Sequence, residues 1–181
     1  MKPSPRRHAR WCAVLVVAAF GFALPNLRAV EPRSIAVLDF EIEDDTAAQG
    51  AAVDVATQQR RLRMARDEIR AGLAERGAFV VVDDAPARAM IDRRRSGERL
   101  HECNGCELEI ARALGAQVVL VGWVQKVSNL ILNLNVGMKD VDTGKTILIK
   151  SVDMRGDNDV SWRRAARRMV EEIAAAEMRR S

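Results

Sequence analysis

Between Ala116 and Asp153 the apolar and polar positions follow the two-residue period of β-strands over the longest stretch of the chain. Val118-Val119-Leu120-Val121 is an unbroken apolar run, which predicts a strand over Gln117 to Val127 that is covered on both faces. After a short polar turn, Leu130, Leu132, Leu134, Val136 and Met138 alternate with Ile131, Asn133, Asn135, Gly137 and Lys139. The strand from Leu130 to Val141 therefore has one core face and one wetter face. Asp142-Thr143-Gly144 predicts a turn, and a third strand from Lys145 completes a meander.

Upstream, Ser34-Ile35-Ala36-Val37-Leu38-Asp39-Phe40 predicts a first, central strand. Glu41 to Val53 mixes acids, alanine and glycine without period, which predicts a partly mobile loop. From about Asp54 to Arg76 the period becomes helical, with Leu62, Ala65, Ile69 and Leu73 at steps of three and four, and Gly77 is placed to end the helix as a left-handed cap. Phe79-Val80-Val81-Val82 follows as a second strand, parallel to the first and joined to it right-handedly. Pro86 starts a short helix broken off near Arg93-Arg94-Arg95-Ser96-Gly97, and Cys103 to Leu114 forms another that ends at Gly115. The last helix starts at Asp157-Asn158-Asp159 and runs to about Met178, with Trp162, Ala166, Met169, Val170 and Ile173 as its apolar stripe and Arg167–Glu171 and Arg168–Glu172 as pairs on its outer side. The pattern predicts one α/β domain over residues 30–181, with a mixed sheet of about five strands in the order strand, helix, strand, helix, three strands, helix.

The first 29 residues change the compartment and the charge. Lys2, Arg6, Arg7 and Arg10 precede an apolar stretch from Trp11 to Leu24, and Leu27-Arg28-Ala29 offers a cleavage point, which is the layout of a secretory signal peptide. The mature chain is expected to begin near Val30 in the periplasm, and contact with a membrane is expected only through the leader if it is retained uncleaved. The leader carries five of the 29 Lys and Arg and none of the 25 Asp and Glu, so the mature chain has 24 bases against 25 acids. A nucleic-acid partner needs a basic footprint that this balance does not supply.

The candidates for chemistry are few, and no cofactor motif occurs. Cys103-Asn104-Gly105-Cys106 at a helix start fits a structural disulfide, and in an oxidising compartment also a thiol redox pair activated by the helix N-terminus. A metal held by Cys103, Cys106 and His101 is one ligand short of a closed zinc site, and covalent haem is excluded because Glu107 stands where the histidine would. The acids Asp39, Glu41, Glu43, Asp44 and Asp45 lie at the carboxyl end of the first strand, where open α/β sheets bind ligands, and read either as a cation or basic-ligand site or as a solvated acidic loop. Trp123 and Trp162 are expected in the core. Around the turn, Gln125, Lys126 and Asn129, with Asn133 and Asn135 on the wetter face, are the residues left over for a partner or for an ordinary polar turn.

Ile35-Ala36-Val37-Leu38-Asp39-Phe40, Cys103-x-x-Cys106 before Ala113-Leu114-Gly115-Ala116, the run from Gly122 to Asn133, and Arg155-Gly156-Asp157 leading to Ser161-Trp162-Arg163 resemble a secreted proteobacterial family known as domain of unknown function 3280, also labelled 2380. The opening strand and layout also look like the amino-terminal domain of the periplasmic protein TolB. The resemblance implies a protein-binding envelope module without catalytic activity, and thiol–disulfide chemistry at Cys103 and Cys106 is the alternative.

Overall fold

The computed structural model describes residues 31–48, 54–95, 97 and 99–180, so the leader and residues 49–53 lie outside it. Along the chain come β1 (Ser34–Val37), β2 (Glu41–Asp44), a helical turn α1 (Asp45–Ala48), α2 (Val55–Glu75), β3 (Val80–Val81), a 3-10 turn (Ala85–Ala87) leading into α3 (Arg88–Arg95), α4 (Cys106–Ala113), β4 (Val118–Lys126), β5 (Ile131–Asp140), β6 (Thr146–Arg155) and α5 (Asp159–Met178). They form one six-stranded mixed sheet in the order β3-β1-β4-β5-β6, with β2 paired to β4. The expected α/β class and element order hold, with one strand more than the pattern indicated.

That extra strand corrects the expected loop after Phe40. β1 runs parallel to Val118–Leu120 of β4, and β2 runs parallel to Trp123–Lys126 of the same strand. The two are halves of one interrupted strand, and Leu38 to Phe40 make the jog between them. Phe40 folds over Gly122, where a side-chain Cβ would overlap its ring. Gly122→Ala is therefore expected to lower stability by about 1–3 kcal/mol through overpacking. Urea denaturation with an unchanged midpoint would show that Phe40 can move aside.

Two helices cover one face of the sheet. Asp54 caps α2 by accepting from Thr57 N–H, Asn158 caps α5 by accepting from Ser161 N–H, and Gly77 ends α2 at φ 62°, as its position predicts. α2 and α5 run parallel, matched from Arg60–Asp159 through Glu68–Arg167 to a close approach of Gly72 to Val170. Arg167 thus pairs across to α2 rather than with Glu171, while Arg168 pairs with Glu172 as expected. Leu62, Ile69 and Leu73 of α2 and Trp162, Met169 and Ile173 of α5 pack with Val118, Leu120, Val124, Leu132, Leu134 and Val136 of the sheet.

The opposite face is covered over only part of its width. α3 and α4 bury Ile91 and Ile110 against Ala36, Leu38, Val119 and Val121, with Cys103 and Cys106 in the same cluster. β3 and β1 pair in parallel as predicted, although β3 keeps only two residues. α4 begins at Cys106, so Cys103 precedes the helix, and Leu130 is 72% exposed at the hairpin tip rather than on the core face of β5. Among the described residues no helix is long and apolar enough to cross a membrane.

Candidate functional site

β2 is a polar strand, and its alternation directs its acids two ways. Glu41 and Glu43 share a face with Trp123 and Gln125 of β4, whereas Ile42 and Asp44 share the other with Val124 and Lys126. On the first face the acids hold a histidine. Nδ1 of His101 lies 2.7 Å from Glu41 and Nε2 lies 2.8 Å from Glu43, and the ring stacks on Trp123 with centroids 4.9 Å apart and planes 7° from parallel. The Glu41 carboxylate also accepts from the backbone N–H groups of Leu100 and His101, so it fixes the turn that carries the ring. The His101 side chain is 5% exposed.

From this cluster two cross-strand rows run over the part of the sheet that α4 leaves open. Glu41, Trp123, Asn135 and Ser151 form one row, and Glu43, Gln125, Asn133 and Asp153 form the next. Ser151 and Asp153 are exposed, Gln125, Asn133 and Asn135 half-buried, and Ile149 beside them is 70% exposed. The Asn133 amide, turned so that both its ends are satisfied, donates to Asp153 at 3.0 Å. The fold thus brings together Gln125, Asn133 and Asn135 and adds Trp123, Ser151 and Asp153. Trp123 belongs to this half-buried face rather than to the core. Asn129 stands apart at the exposed hairpin tip, where its carbonyl accepts from Asp157 N–H.

Lys126 does not belong to this surface. It lies on the core face at the end of β4, 6% exposed, with Nζ 3.4 Å from Asp44 and 3.1 Å from Asp157. Gln58 and Thr46 donate to the same Asp44, and Arg61 and Trp162 Nε1 donate to Asp157. Burial pushes the Asp44 carboxyl up, but hydrogen bonds from the Thr46 side chain, Gln58 and the Thr46 backbone, with the Lys126 charge, hold it below the usual carboxylate value. At the rim, hydrogen bonds from Arg60 and Arg61 depress Asp159 further. The residue expected at a solvated turn is a buried cation that locks β2, β4, α2 and α5 together.

The acidic segment is likewise not a solvated loop. Asp39 is 9% exposed and accepts from Arg66 and Arg88, and Arg88 also reaches Asp84. Asp45 alone of the named acids is exposed, at the start of α1. Cys103 and Cys106 form a disulfide with Cα atoms 5.9 Å apart, each residue 6% exposed. Two groups among the described residues bring three metal-ligating side chains together, namely Cys103, Cys106 and Glu107, and Glu43, His101 and Glu102. In the first the sulfurs are spent on each other, and Glu107 is paired with Lys139 at 2.5 Å. The second has its ligand atoms free of covalent commitment.

A sequence-family profile described as "Protein of unknown function (DUF2380)" matches residues 33–173. No curated protein matches the sequence. Among solved structures the chain is similar to the hypothetical protein CT253 from Chlamydia trachomatis, at 12% identity and TM-score 0.51, over 81% of this chain and 98% of that one. It is also similar to LpoB of E. coli, at 16% identity and TM-score 0.50, over 87% of this chain and 80% of that one. TolB from Acinetobacter baumannii, the neighbour anticipated from the opening strand, matches at 14% identity and TM-score 0.48, over 81% of this chain and 28% of TolB. At these identities the likeness is one of fold.

Proposed function

The chain belongs to the family described as "Protein of unknown function (DUF2380)", and on that premise we propose that it is a non-catalytic interaction module of the cell envelope, working in the periplasm and meeting a protein partner through the open face of β4, β5 and β6. The observation that carries this reading is the pair of polar rows across that face. Amides, a hydroxyl and a carboxylate stand at the fixed interstrand spacing of about 4.8 Å, held by a sheet whose other face packs against α2 and α5. Rigid donors and acceptors of this kind confer specificity, and exposed Ile149 adds apolar area beside them. The charged leader followed by an apolar stretch supports the periplasmic assignment. The burial of both cysteines in an apolar cluster supports a structural staple over thiol exchange, which needs an attacking thiolate to reach a sulfur.

Photo-crosslinking in the native periplasm tests the surface. A crosslinker at Ser151 or Asp153 is expected to give a discrete adduct, and one at Glu75, exposed at the far end of α2, is expected to give none. The pair Asn133→Lys and Asn135→Lys should abolish the adduct with the melting temperature within a few degrees of wild type. Equal adducts from Glu75, or an adduct that survives the lysines, would place the binding surface elsewhere.

A further inference from the structure

The His101 cluster carries more hydrogen-bond acceptors than a neutral ring can serve. Glu41 already accepts from two backbone N–H groups, so the ring proton that it faces is on Nδ1. In the neutral ring Nε2 then presents a lone pair, and the carboxylate oxygens in front of it are Glu43 Oε1 at 2.8 Å and Glu102 Oε1 at 3.9 Å. Three acceptors converge on one point from a ring that is 5% exposed and clamped against Trp123. A cation resolves the convergence: Arg99 reaches both carboxylates, at 3.2 and 3.4 Å, but leaves the Nε2 lone pair facing Glu43 Oε1.

We propose that Nε2 of His101 and the carboxylates of Glu43 and Glu102 form a binding site for a divalent transition-metal ion of the zinc class. Two further observations favour a metal ion. The first is the Glu41–His101 pair behind the site, since metal-binding histidines generally donate their other ring N–H to a carboxylate that fixes tautomer and orientation. The second is the ligand spacing. Ligand atoms held about 2.0–2.2 Å from a common ion lie at most about 4.4 Å apart, and the three atoms lie within 4.8 Å of one another, with Nε2 at 2.8 and 3.9 Å from the two oxygens. Nε2 and the Glu43 oxygen, 2.8 Å apart, must open to about 3.3 Å around a tetrahedral ion, and Glu102, a side chain 57% exposed, is free to adjust to it. One imidazole and two carboxylates suit borderline divalent ions rather than soft, thiolate-seeking ones. Arg99, half-exposed, now places its guanidinium 3.2 Å from Glu43 and 3.4 Å from Glu102, so it holds positive charge where the ion would sit and competes with it. The site stands at the end of both polar rows, but it does not depend on their having a partner.

Calorimetric titration of the untagged, oxidised full-length chain with zinc at neutral pH tests the site, with tryptophan fluorescence as a second readout because Trp123 stacks on the ring. One zinc site is expected, with a change in fluorescence on binding. Glu102→Gln, chosen because an exposed residue spares the fold, and Glu41→Gln should each weaken binding about 10-fold or more, and Arg99→Ala should tighten it. His101 is one of two histidines in the chain, so His101→Ala should abolish the fluorescence response. Absence of zinc binding by the folded protein would overturn the proposal and leave Arg99 as the cluster's cation. The proposal would fail equally if binding were indifferent to Glu102→Gln and Glu41→Gln, or appeared only after reduction of Cys103 and Cys106.

Discussion

Leu120→Asp is expected to yield a chain without a cooperative melting transition. Leu120 is 0% exposed in the middle of β4, paired to Val37 on one side and Met138 on the other, beneath the α2 and α5 layer. An aspartate there has no cation within its own cluster, which is apolar throughout, and burying an unpaired carboxylate costs several kcal/mol even after it takes up a proton. Against a total stability of about 5–15 kcal/mol, that loss and the missing leucine contacts together exhaust the margin. Circular dichroism and thermal melting decide it. A native spectrum with a melting temperature near that of wild type would mean that β4 is not the centre of the sheet.

The meander and the two long helices were legible because local pattern and tertiary role coincide in them. Leu62, Ala65, Ile69 and Leu73 recur at the helical period and are all buried, and Leu132, Leu134, Val136 and Met138 alternate and are all buried. β2 was not legible, because Glu41-Ile42-Glu43-Asp44 has the period of a strand but not its composition. Its acids are stable there only because His101, Lys126 and Gln58 arrive from distant parts of the chain, and no local window contains both members of those pairs. His101 carried a weak signal, in that two glutamates two residues apart must lie on the same side of a strand and can grip one ring between them. For Lys126 a usable signal was present. It has the same parity as Val118, Leu120 and Val124 and so points to the core, and its polarity masked the alternation that should have placed it.

Replacing Lys126 by alanine is expected to destabilise the protein by about 3–5 kcal/mol at neutral pH, the cost of removing one partner from a buried charge pair. The side chains of Lys126, Asp44 and Asp157 are 8%, 8% and 13% exposed, so without the ammonium Asp44 keeps only the neutral donors Thr46 and Gln58 in a site that water reaches poorly, while Asp157 keeps Arg61. Lys126→Met keeps most of the aliphatic stem, and comparison of the two variants separates lost packing from lost charge. The pH dependence identifies the mechanism. Asp44 is held below its ordinary value of 3.8 in the folded protein, so its contribution to stability is present above that value and is lost as pH falls through the lower folded value. In the variants Asp44 loses the Lys126 charge and should take up its proton at a higher pH than in wild type, which removes its uncompensated buried charge. The stability gap between wild type and Lys126→Met should therefore be widest near neutrality and narrow as the solution is acidified below about pH 4. Urea denaturation of both proteins across that range measures the gap. A gap that stays constant with pH would show that the loss is one of packing, and a gap under about 0.5 kcal/mol at neutrality would return Lys126 to the class of ordinary surface residues.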